Sequence, residues 1–134
     1  MGMNMWRFLV ISIVLFQPFT LSTAICFIES PYYVFVKDAL PQGSPPLYMH
    51  CASGDTELGN HTLYTGQDFH FHFCPIEYTL FFCHLWWNGK ERAFEVFNNH
   101  KWKYPKCPDK KCDWEARNDG IYLTNKKEYD WHNI

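Results

Sequence analysis

The sequence predicts an all-β fold, a small antiparallel β-sandwich of about seven strands. Short segments rich in aromatic and β-branched residues recur between stretches that contain the Gly, Pro, Asn and Asp of turns, a spacing typical of sandwiches. No segment shows a convincing helical period. Six cysteines in a chain of 134 residues further predict that the fold is linked by disulfides.

Strand segments are recognised by their apolar and aromatic residues and by the turn-forming positions at which they end. In chain order they are residues 32–37, 47–52, 69–74, 78–87, 92–97, 112–116 and 121–124. Residues 53–60, between the second and third segments, contain Gly, Asp and Asn and are predicted to form a turn.

The third segment alternates in sequence. In Phe69-His70-Phe71-His72-Phe73-Cys74, a strand places the three Phe on one face and His70, His72 and Cys74 on the other. These last three side chains could ligate a metal ion, since imidazole and thiolate converge at this spacing. The alternative is a solvent face opposite a Phe core. No fourth ligand is evident and a secreted thiol is expected to be oxidised, so no metal site is predicted.

The fourth segment is a nearly continuous apolar run, which predicts a strand covered on both faces. Neighbouring residues on a strand point to opposite faces, so only one of Trp86 and Trp87 can lie in the core, and Trp86 is assigned there. Asn88-Gly89 predicts a tight hairpin turn into the next strand, and residues 118–120 predict another.

The chain begins with a leader typical of secreted proteins. Arg7 precedes the apolar run of residues 8–16, and Ser22 and Ala24 supply the small side chains that signal peptidase requires. This run of nine residues, apolar except for Ser12, is too short to cross a hydrocarbon core about 30 Å thick. We therefore expect a signal peptide over residues 1–24, one domain over residues 25–134, and a secreted, extracellular protein without membrane insertion.

The charge balance limits the possible partners. The chain holds 12 Lys and Arg against 14 Asp and Glu, and Arg7 is lost with the leader, which leaves the mature chain at about −3. An acidic chain is not expected to bind nucleic acid or an anionic membrane. We expect a monomer.

Motifs along the mature chain occur in the same order as in a known family. They are Pro46-Leu47-Tyr48-Met49-His50-Cys51, Glu57-Leu58-Gly59, Gly66, Phe69-His70-Phe71-His72-Phe73, Thr79-Leu80-Phe81-Phe82-Cys83, Trp86, Phe94-Glu95-Val96-Phe97, Cys107, Cys112-Asp113-Trp114 and Gly120-Ile121-Tyr122. In this order, behind a signal peptide, they resemble the plant self-incompatibility S-protein homologue family. The resemblance implies a small secreted β-sandwich, and four family cysteines correspond to Cys51, Cys83, Cys107 and Cys112.

The resemblance also implies a function, because founding members of the family are secreted ligands that a cell-surface receptor recognises. We expect an extracellular protein ligand that acts in cell-cell signalling. The alternative is a secreted cell-wall or glycan-binding defence module that uses exposed aromatic residues and a Lys-rich loop, which contains Lys101 to Lys111.

Three pairings of the four family cysteines are open from sequence. Our hypothesis joins Cys51 to Cys112 and Cys83 to Cys107, because bridges that close long loops stabilise more than a bridge across the short Cys107 to Cys112 gap. Cys26 and Cys74 are left as a further pair, and the alternative is that one of them remains free.

No catalytic residue is predicted. Seven histidines raise the possibility of ribonuclease chemistry, which needs a general acid and a general base. Neither His50 nor His84 has the neighbours expected of such a site, and the strand histidines fit alternation of faces. We therefore expect neither an enzyme nor a cofactor.

Asn60-His61-Thr62 is the acceptor sequence for N-glycosylation, and Asn60 is expected to carry a glycan; the alternative is an acceptor sequence that is not used. Receptor binding is expected on the connections between strands, since loops vary and carry function. The candidate loops are residues 42–46, 53–61, 88–91 and 100–111. Within the last of them we expect the contacts to be made by Lys101, Trp102, Lys103, Tyr104 and Lys106, which combine aromatic anchors with positive charge. The alternative for this loop is a solvated connector.

Overall fold

A computed structural model describes Cys26, residues 30–101 and residues 106–134. The predicted signal peptide, residues 1–24, lies outside the described residues. Residues Pro31–Ile134 form one folded unit. Within the described part of the chain, no helix is long and apolar enough to span a bilayer.

The described residues of this unit form ten strands in two sheets of five. The strands are β1 Tyr32–Asp38, β2 Leu47–Ser53, β3 Glu57–Leu63, β4 Asp68–Phe73, β5 Leu80–Trp87, β6 Lys90–Asn98, β7 Lys111–Arg117, β8 Gly120–Leu123, β9 Lys126–Tyr129 and β10 His132–Asn133. The first sheet has the order β4-β1-β7-β8-β9 and the second β10-β6-β5-β2-β3. A single 3₁₀ turn, Pro108–Lys110, precedes β7.

The predicted all-β, disulfide-linked fold is confirmed, with one departure from a purely antiparallel arrangement. Strand β1 pairs with β7 in parallel, with Val34 opposite Cys112, while β4 flanks β1 on the other side in antiparallel orientation. The pairs of the second sheet are all antiparallel. Strand direction was not readable from the sequence because β1 and β7 lie far apart in the chain.

The core lies between alternating side chains of the two sheets. Its fully buried members include Val34 and Val36 from β1, Met49 from β2 and Leu85 from β5. As predicted, Phe69, Phe71 and Phe73 pack against this core, while His70 and His72 are exposed.

The predicted Asn88-Gly89 hairpin is confirmed. Both residues have positive φ, 49° and 73°, and they join β5 to β6 with Trp87 opposite Lys90. Two positive φ values in a two-residue loop are the type I′ geometry, which glycine and asparagine tolerate best. The second predicted hairpin is also present, with Arg117 paired to Gly120 across the turn.

Strand β5 corrects the prediction that residues 78–87 are covered on both faces. The strand begins at Leu80, and its burial alternates along its length. Trp87 is buried at 6% exposure whereas Trp86 is only half-buried, so the assignment of Trp86 to the core was wrong. Cys83 and Leu85 face the core, and a strand must place Trp87 on their face.

The region predicted as a turn over residues 53–60 is largely strand. Only residues 54–56 turn, with Ser53 N donating to Thr56 O at 2.8 Å, and β3 already begins at Glu57. The register between β2 and β3 shifts between His50 and Ala52. The irregularity lets β3 pair with β2 although its first residues are polar and include a Gly, the composition that favoured a turn in the sequence. Strands β9 and β10 were also not predicted.

The disulfide pairing differs from our hypothesis. Cys51 bonds Cys83, its direct partner in the register of β2 and β5, and Cys107 bonds Cys112. The hypothesis was wrong because it ranked pairs by loop length, whereas strand pairing places Cys51 and Cys83 with Cα atoms 4.1 Å apart. Cys26 and Cys74 are also disulfide-bonded, and their mutual pairing stays a prediction.

Candidate recognition surface

Four exposed apolar side chains are concentrated in one short stretch of the chain. Ile76 is 75% exposed and Tyr78 62%, and they are followed by Leu80 at 38% and Phe82 at 39%. They occur at every second residue of the β4–β5 connection and the start of β5. We call Ile76, Tyr78, Leu80 and Phe82 the apolar strip. Large apolar groups clustered in contact with water are typical of interaction sites.

The turn that carries the strip is held by hydrogen bonds. The Thr79 hydroxyl accepts a bond from Ile76 N at 2.8 Å and donates one to Ile76 O at 2.9 Å. The Asn99 side-chain amide also donates to Ile76 O, and Asn99 N donates to Thr79 O at 3.2 Å. Because both ends of the turn are bonded to the residue that follows β6, Ile76 and Tyr78 are presented on an ordered backbone.

Tyr78 has an unfavourable backbone conformation. Its φ of 66° lies in the left-handed region, which costs a non-glycine residue about 1–2 kcal/mol. Its ring lies 4.4 Å from the ring of His100, centroid to centroid. A large aromatic side chain kept exposed at a strained position indicates a role outside the core.

An open depression of ≈ 550 Å³ lies beside the strip. Its walls include Ser53 and Asp55 from the β2–β3 turn, Phe73 from the end of β4, and Phe81. Three residues of the strip, Ile76, Tyr78 and Leu80, also line it. The depression therefore combines an apolar wall with a polar rim, the composition that favours insertion of an apolar side chain from a partner.

The rim carries a fixed negative charge. The Ser53 hydroxyl donates to Asp55 Oδ1 at 2.9 Å and the Thr56 hydroxyl donates to the same oxygen at 3.3 Å. These bonds, that of Ser53 first, lower the pKa of the Asp55 carboxyl from its ordinary value. Asp55 is fully exposed and therefore presents its carboxylate to any partner that approaches the depression.

The Lys-rich loop begins beside the strip. Asn98 Oδ1 accepts hydrogen bonds from the backbone N–H groups of His100 and Lys101, at 3.1 Å and 2.9 Å, and His100 in turn contacts Tyr78. Lys101 is exposed, with its Nζ 3.9 Å from Glu95 Oε1. Lys106 is exposed as well. Of the predicted contact residues, Trp102, Lys103 and Tyr104 lie outside the described residues.

The four loops proposed for binding lie at two opposite ends of the second sheet. Tyr48 pairs with Trp86, so residues 42–46, which precede β2, lie at the same end as the Asn88-Gly89 turn. Ser53 pairs with Phe81, and Leu80 with Asn98. The turn after β2, the apolar strip and the start of the Lys-rich loop therefore share the other end.

Sequence reasoning missed the apolar strip although its signal is present. Residues 76, 78, 80 and 82 are apolar or aromatic at a spacing of two, which is the period of one strand face. Within β5 the buried Phe81 and Cys83 lie on either side of Phe82 and hid the alternation in a nearly continuous apolar run. The two faces can be told apart by position relative to Cys83, since residues an even number of positions from this buried cysteine share its face.

A metal site formed by His70, His72 and Cys74 would lack one of its three ligands. Cys74 is disulfide-bonded, so it offers no thiolate beside His70 and His72. His70 Nδ1 lies 3.2 Å from Asp68 Oδ2, and the ring of His72 lies 5.5 Å from that of Tyr33. Over the described ranges, no cluster of three or more ligating side chains is placed to bind a metal ion.

Asn60 is exposed, as a glycan acceptor must be, but it lies within β3 and not in a turn. Its register partner is His50 on β2. The Asn60 side chain therefore emerges from the outer face of the second sheet, the face that also carries Tyr48 and Trp86.

Comparison with known proteins identifies relatives over most of this unit. The family model for plant self-incompatibility protein S1 matches residues 33–133. S-protein homolog 5 of Arabidopsis thaliana is 36% identical over 87 residues, which are 63% of this chain and 66% of the relative. S-protein homolog 29 of the same plant is 30% identical over 135 residues, covering 93% and 95% of the two chains.

The match with another relative covers a smaller share of that relative. S-protein homolog 2 of Arabidopsis thaliana is 33% identical over 90 residues, 63% of this chain, and the match spans only 56% of the relative's length. No solved protein structure matches the chain.

Proposed function

Because the chain belongs to the plant self-incompatibility protein S1 family, which confirms the resemblance seen in its sequence, we propose that it is a secreted, monomeric protein ligand that a cell-surface receptor recognises through the apolar strip. The observation that carries this proposal is the exposure of four large apolar side chains in one ordered turn and strand end, beside an open depression. The proposal covers no catalytic activity and no cofactor.

The energetics of interfaces support the strip as the binding site. Burial of apolar surface contributes about 25 cal/mol per Å², and a few Tyr, Trp or Arg side chains dominate most protein interfaces. Tyr78 and Ile76 have most of their surface left to bury. Since hydrogen bonds to Thr79 and Asn99 already order the turn, little conformational entropy remains to be lost on binding.

Secretion is supported by the state of the cysteines. All six are disulfide-bonded, and Cys51 and Cys83 lie fully buried between β2 and β5. Disulfides of this kind form in the oxidising secretory route and persist outside the cell. The proposed signal peptide would deliver the chain there.

A cell-binding experiment tests the proposal. Fluorescently labelled mature protein is applied to plant protoplasts, and bound label is measured as a function of its concentration. We expect saturable binding that disappears when the cell surface is first treated with protease. The variant Ile76→Ser/Tyr78→Ser should bind at least tenfold more weakly than the unmodified protein.

The matched control is Tyr64→Ser, because Tyr64 is also exposed, at 59%, and directly follows β3 at the other end of the second sheet. Equal binding by the strip variant and the Tyr64 variant would contradict the proposal. Binding that survives protease but is competed by cell-wall polysaccharide would support the alternative, a glycan-binding module.

A further inference from the structure

The outer face of the second sheet has aromatic side chains arranged in rows across its strands. Tyr48 on β2 lies directly opposite Trp86 on β5. In the next row, His50 lies opposite His84. Each row continues onto β3, where Thr62 pairs with Tyr48 and Asn60 pairs with His50. We call Tyr48, His50, His84 and Trp86 the aromatic face.

The aromatic face is partly exposed, and three of its four rings contact a neighbouring side chain. Tyr48 is 51% exposed. The rings of Trp86 and His84 stack with centroids 3.8 Å apart and planes inclined by 15°. His84 Nε2 lies 3.2 Å from Glu91 Oε1. On the other side of the face, His50 Nε2 contacts the Glu57 carboxylate.

The pattern of apolar ring flanked by carboxylate fits a saccharide. Pyranose rings expose C–H groups that pack on aromatic rings, and their hydroxyls donate hydrogen bonds to carboxylate oxygens. A face of this chemistry alone does not identify its occupant. The acceptor sequence Asn60-His61-Thr62 indicates the occupant, because Asn60 is exposed on the same face and pairs with His50.

Distances within the sheet allow a glycan on Asn60 to reach the rings. Neighbouring strands are about 4.8 Å apart, so Asn60 on β3 is one strand from Tyr48 and about 10 Å from the strand that carries Trp86. The first two sugars of an N-glycan cover that span. Thr62, which completes the sequon, points to the same face as Tyr48.

We propose that Asn60 carries an N-glycan and that its proximal sugars fold back over the aromatic face, where they pack on Tyr48 and Trp86. Glycan transfer forms a bond between Asn60 Nδ2 and C1 of the first sugar and breaks the bond between that C1 and an oxygen of the lipid-linked diphosphate. The lipid diphosphate is the leaving group, and one amide proton is released. The attached glycan stabilises the fold by shielding these rings from water. This inference is independent of receptor binding through the apolar strip.

The test is a thermodynamic cycle on the full chain expressed and secreted by plant cells. Thr62→Val removes the hydroxyl that the transferase requires, and Thr62→Ser retains a hydroxyl at the same position. Each of these changes is combined with the intact aromatic face and with Tyr48→Ser/Trp86→Ser. The measured quantities are the mass of the peptide that contains Asn60 and the midpoint of thermal unfolding.

We expect the Thr62→Ser protein to carry a glycan and to unfold about 4 °C above the Thr62→Val protein, the shift that a modest stabilisation produces in a domain of this size. In the Tyr48→Ser/Trp86→Ser background this difference should fall by at least half. A Tyr33→Ser background, which alters an exposed Tyr of the first sheet, should leave it unchanged.

Three outcomes would overturn the inference. An unmodified Asn60 peptide in the Thr62→Ser protein excludes the glycan. An equal glycan-dependent shift in both aromatic backgrounds shows that the sugars do not contact the aromatic face. A glycosylated protein that dimerises in solution, with the dimer lost in Tyr48→Ser/Trp86→Ser, shows that a second copy occupies the face. If the double variant does not fold, Tyr48→Ser alone replaces it.

Discussion

The indole of Trp114 on β7 donates a hydrogen bond from Nε1 to the backbone oxygen of Val96 on β6, at 3.1 Å, and so connects the two sheets of the sandwich through their core. Trp114 is almost fully buried and its ring lies 4.8 Å from that of Phe94. One side chain therefore supplies both apolar contact and a polar link between the two layers.

Trp114→Phe is expected to lower the free energy of unfolding by about 2–3 kcal/mol, because it removes ring volume and leaves the Val96 oxygen without its donor in the core. The control is Trp131→Phe. Trp131 Nε1 also donates to a backbone oxygen, that of Arg117 at 2.7 Å, but its ring is only half-buried, so a loss of about 1 kcal/mol is expected. Chemical denaturation measures both, and equal losses would contradict the role assigned to Trp114.

The two bridges should contribute unequally to stability. Cys51–Cys83 spans a sequence separation of 32 and Cys107–Cys112 a separation of 5. In the chain-entropy model these loops correspond to about 3.7 and 2.2 kcal/mol. Cys51→Ala/Cys83→Ala should therefore destabilise the domain by about 1.5 kcal/mol more than Cys107→Ala/Cys112→Ala. Peptide mapping of the unmodified protein checks the premise and should recover both bridges.

Asp38 should make the domain less stable as the pH rises from acid. Burial raises the pKa of its carboxyl, and the hydrogen bond from Leu40 N at 2.9 Å opposes this only in part. A folded-state pKa above the unfolded value means that stability from this group is complete below about pH 3.8 and is lost as pH rises through the folded pKa. Asp38→Asn keeps an oxygen for Leu40 and should be more stable than the unmodified protein at pH 7 but not at pH 3.

Asp55→Asn is a control for which the pH dependence of stability should have the opposite sign. Hydrogen bonds from Ser53 and Thr56 lower the pKa of Asp55, so its contribution is present above the unfolded pKa of about 3.8 and is lost as pH falls through the folded value. Asp55→Asn should destabilise the fold at pH 7 and have less effect at pH 2. Denaturation midpoints across this pH range that move in parallel for both variants would refute the assignments.

Tyr78→Gly separates binding from stability. Glycine adopts the left-handed conformation of residue 78 without the strain of a Cβ, so the free energy of unfolding should stay the same or rise by up to about 1 kcal/mol. Binding to the cell surface should weaken at least tenfold because the exposed ring is lost. If Tyr78→Gly instead destabilised the domain by several kcal/mol, the ring would be a structural element and the strip would lose its main anchor.

Replacing Lys101, Lys103 and Lys106 with Ser is expected to slow association with the receptor and to reduce its dependence on salt, while the thermal midpoint stays constant. The only ion pair described for Lys101 is an exposed one with Glu95, at 3.9 Å, and such pairs contribute about 0–1 kcal/mol. Association rates at low and high salt measure the effect. Unchanged rates at both would make this loop a solvated connector.

The sequence correctly predicted the elements that depend on residues close together in the chain. The alternation in residues 69–74 correctly predicted the Phe face of β4, and Asn88-Gly89 correctly predicted a hairpin, because both depend on neighbours in the chain. Strands β9 and β10 escaped prediction because they are short, polar edge strands that are ordered by pairing with β8 and β6. Their sequence contains little apolar signal.

The site was harder to predict than the fold. Burial of Trp87 instead of Trp86 depends on the phase of β5 relative to the core, which a continuous apolar run does not reveal. The same ambiguity hid Leu80 and Phe82 as exposed residues. The bridge between Cys51 and Cys83 likewise follows from which strands are neighbours, and no local pattern specifies that.

The parallel pairing of β1 with β7 sets an order of events during biosynthesis. Strands β2, β3, β5 and β6 of the second sheet are available once residue 98 has entered the secretory compartment, whereas β1 must wait for residues 111–117 before the centre of its sheet can close. Until then the chain exposes unpaired strand edges, and long-range contacts of this kind slow folding. A nascent chain halted before β7 should remain a substrate for chaperones. Yield in recombinant expression should depend more on residues 111–134 than on any other segment of comparable length.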